Sequence, residues 1–185
     1  MKYGKSNKVL LTGVCGYELA GMKHLLESAG YEVSGPENCA GRDFRLIIVA
    51  LSAVSLCGWG RHLKVIRGLR SLVSGRMIVL VPEKLRDMTV LGDICEVCDG
   101  KMTVELLKNV VLVNLQKRCK TPRLSRRQYV SGSILLGERR PEKSNEYYHR
   151  RRLVDCMGFP NLHVLQLTGE EMIKERLRLY GTQVT

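Results

Sequence analysis

The first two thirds of the chain alternate short apolar runs with stretches whose apolar residues recur every three or four positions. Apolar runs bounded by Gly or Pro predict strands that are buried on both faces, and the three-to-four spacing predicts amphipathic helices. The predicted strands cover residues 8–13, 31–35, 44–54 and 76–82. The predicted helices cover residues 17–30, 61–73 and 103–117. This alternation predicts an α/β fold with a doubly wound parallel sheet over residues 1–117.

Composition changes after residue 117. Residues 118–152 hold eleven Lys and Arg and three acidic residues. Residues 153–185 hold three Lys and Arg and four acidic residues. The chain as a whole carries a formal charge of +12, so its basic charge is concentrated in one short stretch. We therefore predict a linker at 118–123 and a small all-α domain at 124–185, with a polyanion such as DNA as partner.

One predicted helix within this basic stretch has two different faces. Leu153, Val154 and Met157 supply an apolar face, and Gly158 is suited to end the helix. The consecutive residues Arg150–Arg152 fan around the helix, so they cannot all be buried. Such a helix is suited to lie in a DNA major groove. A solvated charged face is the alternative interpretation.

Three segments carry a resemblance to a known family. LSRRQ at 124–128, LLG at 135–137 and SNEYYHRRRLVDCMGFPNLHVL at 144–165 resemble the helix-turn-helix of LuxR/FixJ-type regulators. Compared with the family pattern, the chain lacks most of a supporting helix between Gly137 and Ser144. The resemblance thus implies an abbreviated helix-turn-helix. The residues it places at DNA are Arg126, Arg127, Lys143, Ser144, Tyr148, Arg151 and Arg152.

The first half of the chain is similar to the receiver domain of response regulators. Receivers bind Mg²⁺ through carboxylates after the first strand and accept a phosphoryl group on an Asp at the end of the third. Here the first position reads Thr12–Cys15 and the second is Ala50. The chain looks most like the atypical capsule and virulence regulators of enteric bacteria, the RcsA/TviA type. That likeness implies a transcriptional regulator that is independent of phosphorylation.

The turn TGVCGYELAG at residues 12–21 offers a competing interpretation. It resembles the glycine-rich turn of short-chain dehydrogenases, in which backbone N–H groups bind a pyrophosphate. Gly13 and Gly16 fit that pattern, but Leu19 stands where a third glycine belongs. The Y-x-x-x-K pair of those enzymes is missing too. A nucleotide-dependent enzyme is therefore the third interpretation, and we predict no catalytic residue and no cofactor.

The cysteines point to a reducing compartment. There are seven of them, an odd number, and most lie in apolar runs, which is typical of cytoplasmic thiols. Cys95 and Cys98 form a single C-x-x-C pair, and zinc requires four ligands, so no metal site is expected. Neither a signal peptide nor a membrane-spanning segment is predicted, and we expect no membrane partner.

The leading expectation is a cytoplasmic, DNA-binding transcriptional regulator. One abbreviated helix-turn-helix covers little DNA, so we expect a homodimer or a heterodimer with a response regulator of the same superfamily. The alternative is an interaction protein that docks on another regulator without touching DNA.

Overall fold

The computed structural model of the chain describes residues 7–38, 43–92, 94–113, 124–138 and 146–184. Within these residues a five-stranded, all-parallel sheet has the order β2-β1-β3-β4-β5. The strands are β1 Lys8–Gly13, β2 Glu32–Ser34, β3 Asp43–Ala50, β4 Ser74–Val81 and β5 Glu96–Asp99. The helices are α1 Gly16–Ser28, α2 His62–Leu72, α3 Val104–Val113, α4 Arg126–Leu135, α5 Glu146–Cys156, α6 Leu162–Thr168 and α7 Glu170–Val184. The predicted α/β class and parallel sheet are confirmed.

The sheet differs from its prediction in two places. The strand predicted over 44–54 ends at Ala50, and a turn follows. The strand β5 was missed, because it has only four residues and charged ones at both ends. The described residues between β4 and β5 contain one 3-10 turn at Glu83–Leu85 and no α-helix, so the predicted strict alternation of strands and helices is wrong here.

Alternate residues of each central strand point to opposite faces of the sheet. Val9, Leu11 and Ile48 belong to a buried cluster that α1 covers through Met22 and Leu26. The other face carries a larger cluster, which we call the α2-side cluster. It contains Leu10, Ile47, Val49, Met77, Val79 and Val81 from the strands and Leu63, Ile66 and Leu69 from α2.

The helices after residue 123 contribute to this same α2-side cluster. Their buried members are Leu124, Leu153, Val154, Met157, Phe159, Val164, Leu165, Met172, Ile173 and Leu177. Because the described residues between β4 and β5 contain no α-helix, α2 leaves part of this face uncovered. The C-terminal helices supply the missing apolar surface. The predicted linker at 118–123 lies outside the described residues, and the predicted domain boundary stays a prediction.

Backbone contacts hold the C-terminal helices on the sheet. The Thr89 N–H donates to the Met157 carbonyl at 3.0 Å, and its hydroxyl donates to the Cys156 carbonyl at 2.9 Å. The Gly58 N–H donates to the Leu167 carbonyl at 2.7 Å. Arg67 of α2 also forms an ion pair with Glu175 of α7. These bonds fix the position of α5 through its C-terminal end.

A histidine lies beside this contact region, at the start of α2. The His62 ring meets the Trp59 ring edge-on, with the ring centres 6.0 Å apart, and its Nε2 atom is buried without a hydrogen-bond partner. Burial, and then the charge of Arg61, lower the pKa of His62 below its ordinary value of 6.5. The folded protein therefore favours the neutral imidazole.

This shift predicts a pH dependence of stability. The unfolded chain takes up a proton at His62 as the pH falls through about 6.5, whereas the folded chain resists it. The free energy of unfolding should therefore be at its full value above that pH and decrease below it, until the folded state is protonated too. Urea titrations of the wild type and His62→Gln should show a smaller acid loss in the variant. An equal loss of unfolding free energy at acid pH in both proteins would contradict the assignment of this pH dependence to His62.

Candidate nucleic-acid interface

The helix α4 begins with a complete capping box. The Gln128 N–H donates to the Ser125 hydroxyl, and the Ser125 N–H donates to Gln128 Oε1 at 2.8 Å. These bonds satisfy backbone donors that a helix start otherwise leaves unpaired. The motif LSRRQ thus starts a helix at Arg126 for a local reason, and it fixes the two arginines in the first turn.

The buried side chain of Gln128 also joins α4 to α5. Its Nε2 donates to the Arg152 carbonyl at 2.9 Å. On α5, Leu153 and Val154 are buried in the α2-side cluster. Gly158 ends the helix with a φ of 73°, as predicted, and its N–H donates to the Asp155 carbonyl. The first turn of α4 therefore lies against the last two turns of α5.

The opposite face of α5 is open and combines aromatic with basic side chains. Tyr147 is 77% exposed and Tyr148 is 56% exposed. Arg151 and Arg152 are exposed as well, whereas Arg150 is half-buried. Arg152 donates to the Tyr148 hydroxyl at 3.1 Å, and its guanidinium lies 5.8 Å from the centre of that ring. Stacking of this kind keeps a guanidinium extended and ready to contact a phosphate or a base edge.

The predicted site residues fall into two groups. Arg126 and Arg127 are exposed at the start of α4, and Tyr148, Arg151 and Arg152 are exposed on α5. The bond from Gln128 to the Arg152 backbone brings these two segments together. Lys143 and Ser144 lie outside the described residues.

The charges of α4 oppose its own dipole. The first turn holds Arg126 and Arg127 and no acidic residue. A cation at a helix N-terminus is destabilising by roughly 0.3–1 kcal/mol when exposed. Local helix stability therefore does not explain the two arginines, whereas an external polyanion would relieve their mutual repulsion.

The burial of one arginine in the C-terminal helices was not predicted from the sequence. Arg176 of α7 is only 1% exposed. It falls on the apolar stripe formed by Met172, Ile173, Leu177 and Tyr180. Its spacing along this stripe was the signal that could have revealed its burial.

The glycine-rich turn has a structural explanation. A Cβ on Gly13 would overlap the carbonyl oxygen of Ala50 on the neighbouring strand, so the close pairing of β1 and β3 requires glycine there. Leu19 packs on the buried cluster that α1 covers. Glu18 in the first turn of α1 accepts from the Ser52 hydroxyl at 2.6 Å. A carboxylate at this place opposes the binding of a pyrophosphate.

The edge of the sheet at the C-terminal ends of β4 and β5 carries an ion pair. Ala50 ends β3, and Lys101 follows β5. Lys101 Nζ lies 2.9 Å from Glu83 Oε2, and this hydrogen bond is the main cause that raises the pKa of Lys101 and lowers that of Glu83. Together with Ser52, Leu56 and Pro82, they line a shallow cavity of about 230 Å³. Neither Ala50 nor the residues Thr12 and Gly13 at the end of β1 carry a carboxylate.

The described residues also bear on metal binding and on membrane insertion. Over the described ranges, no three His, Cys, Asp or Glu side chains are grouped as a metal site requires. None of the helices in the part of the chain that the structure covers has the length and apolar character to span a bilayer.

Comparisons of the chain with protein-family models, with curated proteins and with solved structures found no match.

Proposed function

We propose that this protein is a DNA-binding transcriptional regulator that works without phosphorylation. The observation that carries the proposal is the outer face of α5. Tyr147, Tyr148, Arg151 and Arg152 are exposed there, while Leu153 and Val154 anchor the helix from behind. In helix-turn-helix proteins the recognition helix contacts base edges with its N-terminal residues, and Tyr147 and Tyr148 lie exposed at that end of α5.

The arginines of α4 fit the same partner. A helix that crosses the DNA backbone supplies phosphate contacts, and Arg126 and Arg127 are exposed next to the base of α5. We propose further that the protein binds as a homodimer, or as a heterodimer with a response regulator of the same superfamily, because one such module covers little DNA.

A second candidate function uses the same surface. Exposed tyrosines and arginines are also the residues that dominate protein–protein interfaces. Tyr147, at 77% exposure, is available for such a contact. The chain would then dock on another regulator and never touch DNA.

Binding to DNA over a range of salt concentrations tests the proposal. Fluorescence anisotropy with duplexes selected from a random library should give an affinity that falls as salt rises, by about 0.9 log unit per phosphate contact for each tenfold increase. Arg151→Ala combined with Arg152→Ala should weaken binding and reduce that slope by about 1.8, since two contacts are lost.

A charge-matched variant controls for net charge. Arg61→Ala combined with Lys64→Ala also removes two exposed cations, but from the start of α2 and the residue before it. It should leave the slope unchanged. If both double variants flatten the slope equally, the binding is a non-specific effect of charge. If no duplex is selected and the protein instead captures a purified response regulator, the second candidate function replaces the first.

A further inference from the structure

Arg176 is a buried cation with little compensation. Its side chain is almost wholly inaccessible, and its Nε atom has no hydrogen-bond partner among the residues that the structure describes. Buried charges in proteins are normally paired, because an isolated charge in an apolar medium is strongly destabilising. Within the described ranges Arg176 makes no ion pair with a carboxylate, in contrast to Arg67 and Arg178, which share Glu175.

The guanidinium points to a thiol instead. Arg176 NH2 donates to Cys156 Sγ at 3.7 Å. A neutral thiol is a weak acceptor, so this contact satisfies only a small part of the donor capacity of the guanidinium. Cys156 is the last residue of α5 and is half-buried, so it lies near the surface and not in the deep core.

We propose that Cys156 is a site of oxidation by hydroperoxides and that Arg176 holds the oxidised product. The thiol sulfur attacks one oxygen of hydrogen peroxide, an S–O bond forms and the O–O bond breaks. Sulfur supplies the electron pair and is oxidised by two electrons, and the thiol proton leaves with the departing hydroxide as water. The neighbouring guanidinium stabilises the negative charge that develops in this step.

A second equivalent of peroxide converts the sulfenic acid into a sulfinic acid and releases another water. The sulfinic acid then gives its proton to solvent and becomes an anion. Its oxygens are strong acceptors on the sulfur that the NH2 donor of Arg176 already contacts. Oxidation thus converts a weak contact into a charge-assisted hydrogen bond and gives the buried cation a counter-ion. The proposal does not depend on DNA binding.

Peroxide treatment of the whole protein, followed by peptide mass mapping, tests the site. Cys57 is exposed and serves as an internal reference. If exposure alone sets reactivity, Cys57 gains oxygen first. If Arg176 activates the thiol, Cys156 gains oxygen about tenfold faster than Cys57 despite its lower exposure. A rate for Cys156 equal to or below that of Cys57 would overturn the proposal.

Variants separate the role of the charge from accessibility. Arg176→Gln should slow the oxidation of Cys156 about tenfold and leave Cys57 unchanged, whereas Arg176→Lys should keep most of the rate. Equal slowing by both variants, or none by Arg176→Gln, would count against the guanidinium.

The wild type provides a test that needs no folded variant. Its sulfinate form should melt at a higher temperature than its reduced form, because the buried charge is then paired. Cys156→Ser should show no such rise after the same treatment. An unchanged or lowered melting temperature of the oxidised wild type would refute the proposal that Arg176 holds the oxidised product.

Discussion

A fragment that ends at residue 117 is expected not to fold into a stable monomer. The truncation removes α4–α7 and with them ten buried apolar residues of the α2-side cluster. The fragment keeps the other members of this cluster, but they lose part of the apolar surface that buries them. Among them are Met77, Val79, Val81 and Leu85. An exposed apolar face of this kind leads to aggregation or to a loosely packed state.

Trp59 provides the readout, since it is the only tryptophan of the chain and is fully buried. In the fragment its emission should shift to the red, the near-ultraviolet circular dichroism should weaken, and gel filtration should show aggregates. A protease site inserted into the predicted linker at 118–123 gives a matched control. After cleavage of the intact protein, the two pieces should elute together. A monomeric fragment with a cooperative melt would instead establish two independent domains.

Gly158→Ala should cause the largest loss of any single substitution considered. Gly158 has a φ of 73°, where a side chain is strained, and a Cβ there would overlap the backbone carbonyl of Asp87. Because a carbonyl of the main chain cannot rotate away, α5 has to move off the 87–89 segment. We expect a decrease in the free energy of unfolding of about 3 kcal/mol or more.

Gly30→Ala is the matched control. Gly30 also follows a helix with a positive φ, of 83°, and makes the same pattern of bonds to the last turn, but nothing lies within 4 Å of its added Cβ. Backbone strain alone should then be destabilising by about 1 kcal/mol. Urea titrations of both variants measure the difference. Equal losses would show that the contact with Asp87 contributes nothing.

Local patterns predicted much of the architecture. The bounds of β1 agree with the prediction, since KVLLTG is a short apolar run closed by glycine. The side chain of Asn161 accepts from the Val164 N–H at 2.9 Å and so caps the start of α6 with a residue three positions away. Leu153, Val154 and Met157 form the buried face of α5, as their spacing indicated. Each of these features depends on residues a few positions apart.

The candidate site was predictable only in part. The exposure of Arg126, Arg127, Arg151 and Arg152 follows from their charge, and it agrees with the prediction. The burial of Arg176 was missed, because a charged side chain is normally assigned to the surface and its place on the apolar stripe of α7 was not weighed against that rule. The stacking of Arg152 on Tyr148 depends on side-chain geometry that sequence spacing permits without requiring.

The sequence by itself determined that β1 to β4 form strands, that α5 ends at Gly158 and which side of α5 is buried. Its repeating apolar positions and its caps act over one or two turns, where chain connectivity leaves few alternatives. Only the tertiary structure decided what covers the second face of the sheet. The bonds from Thr89 to Met157 and from Gly58 to Leu167 join residues far apart along the chain. Such contacts depend on the fit of two complete surfaces, which no local periodicity records.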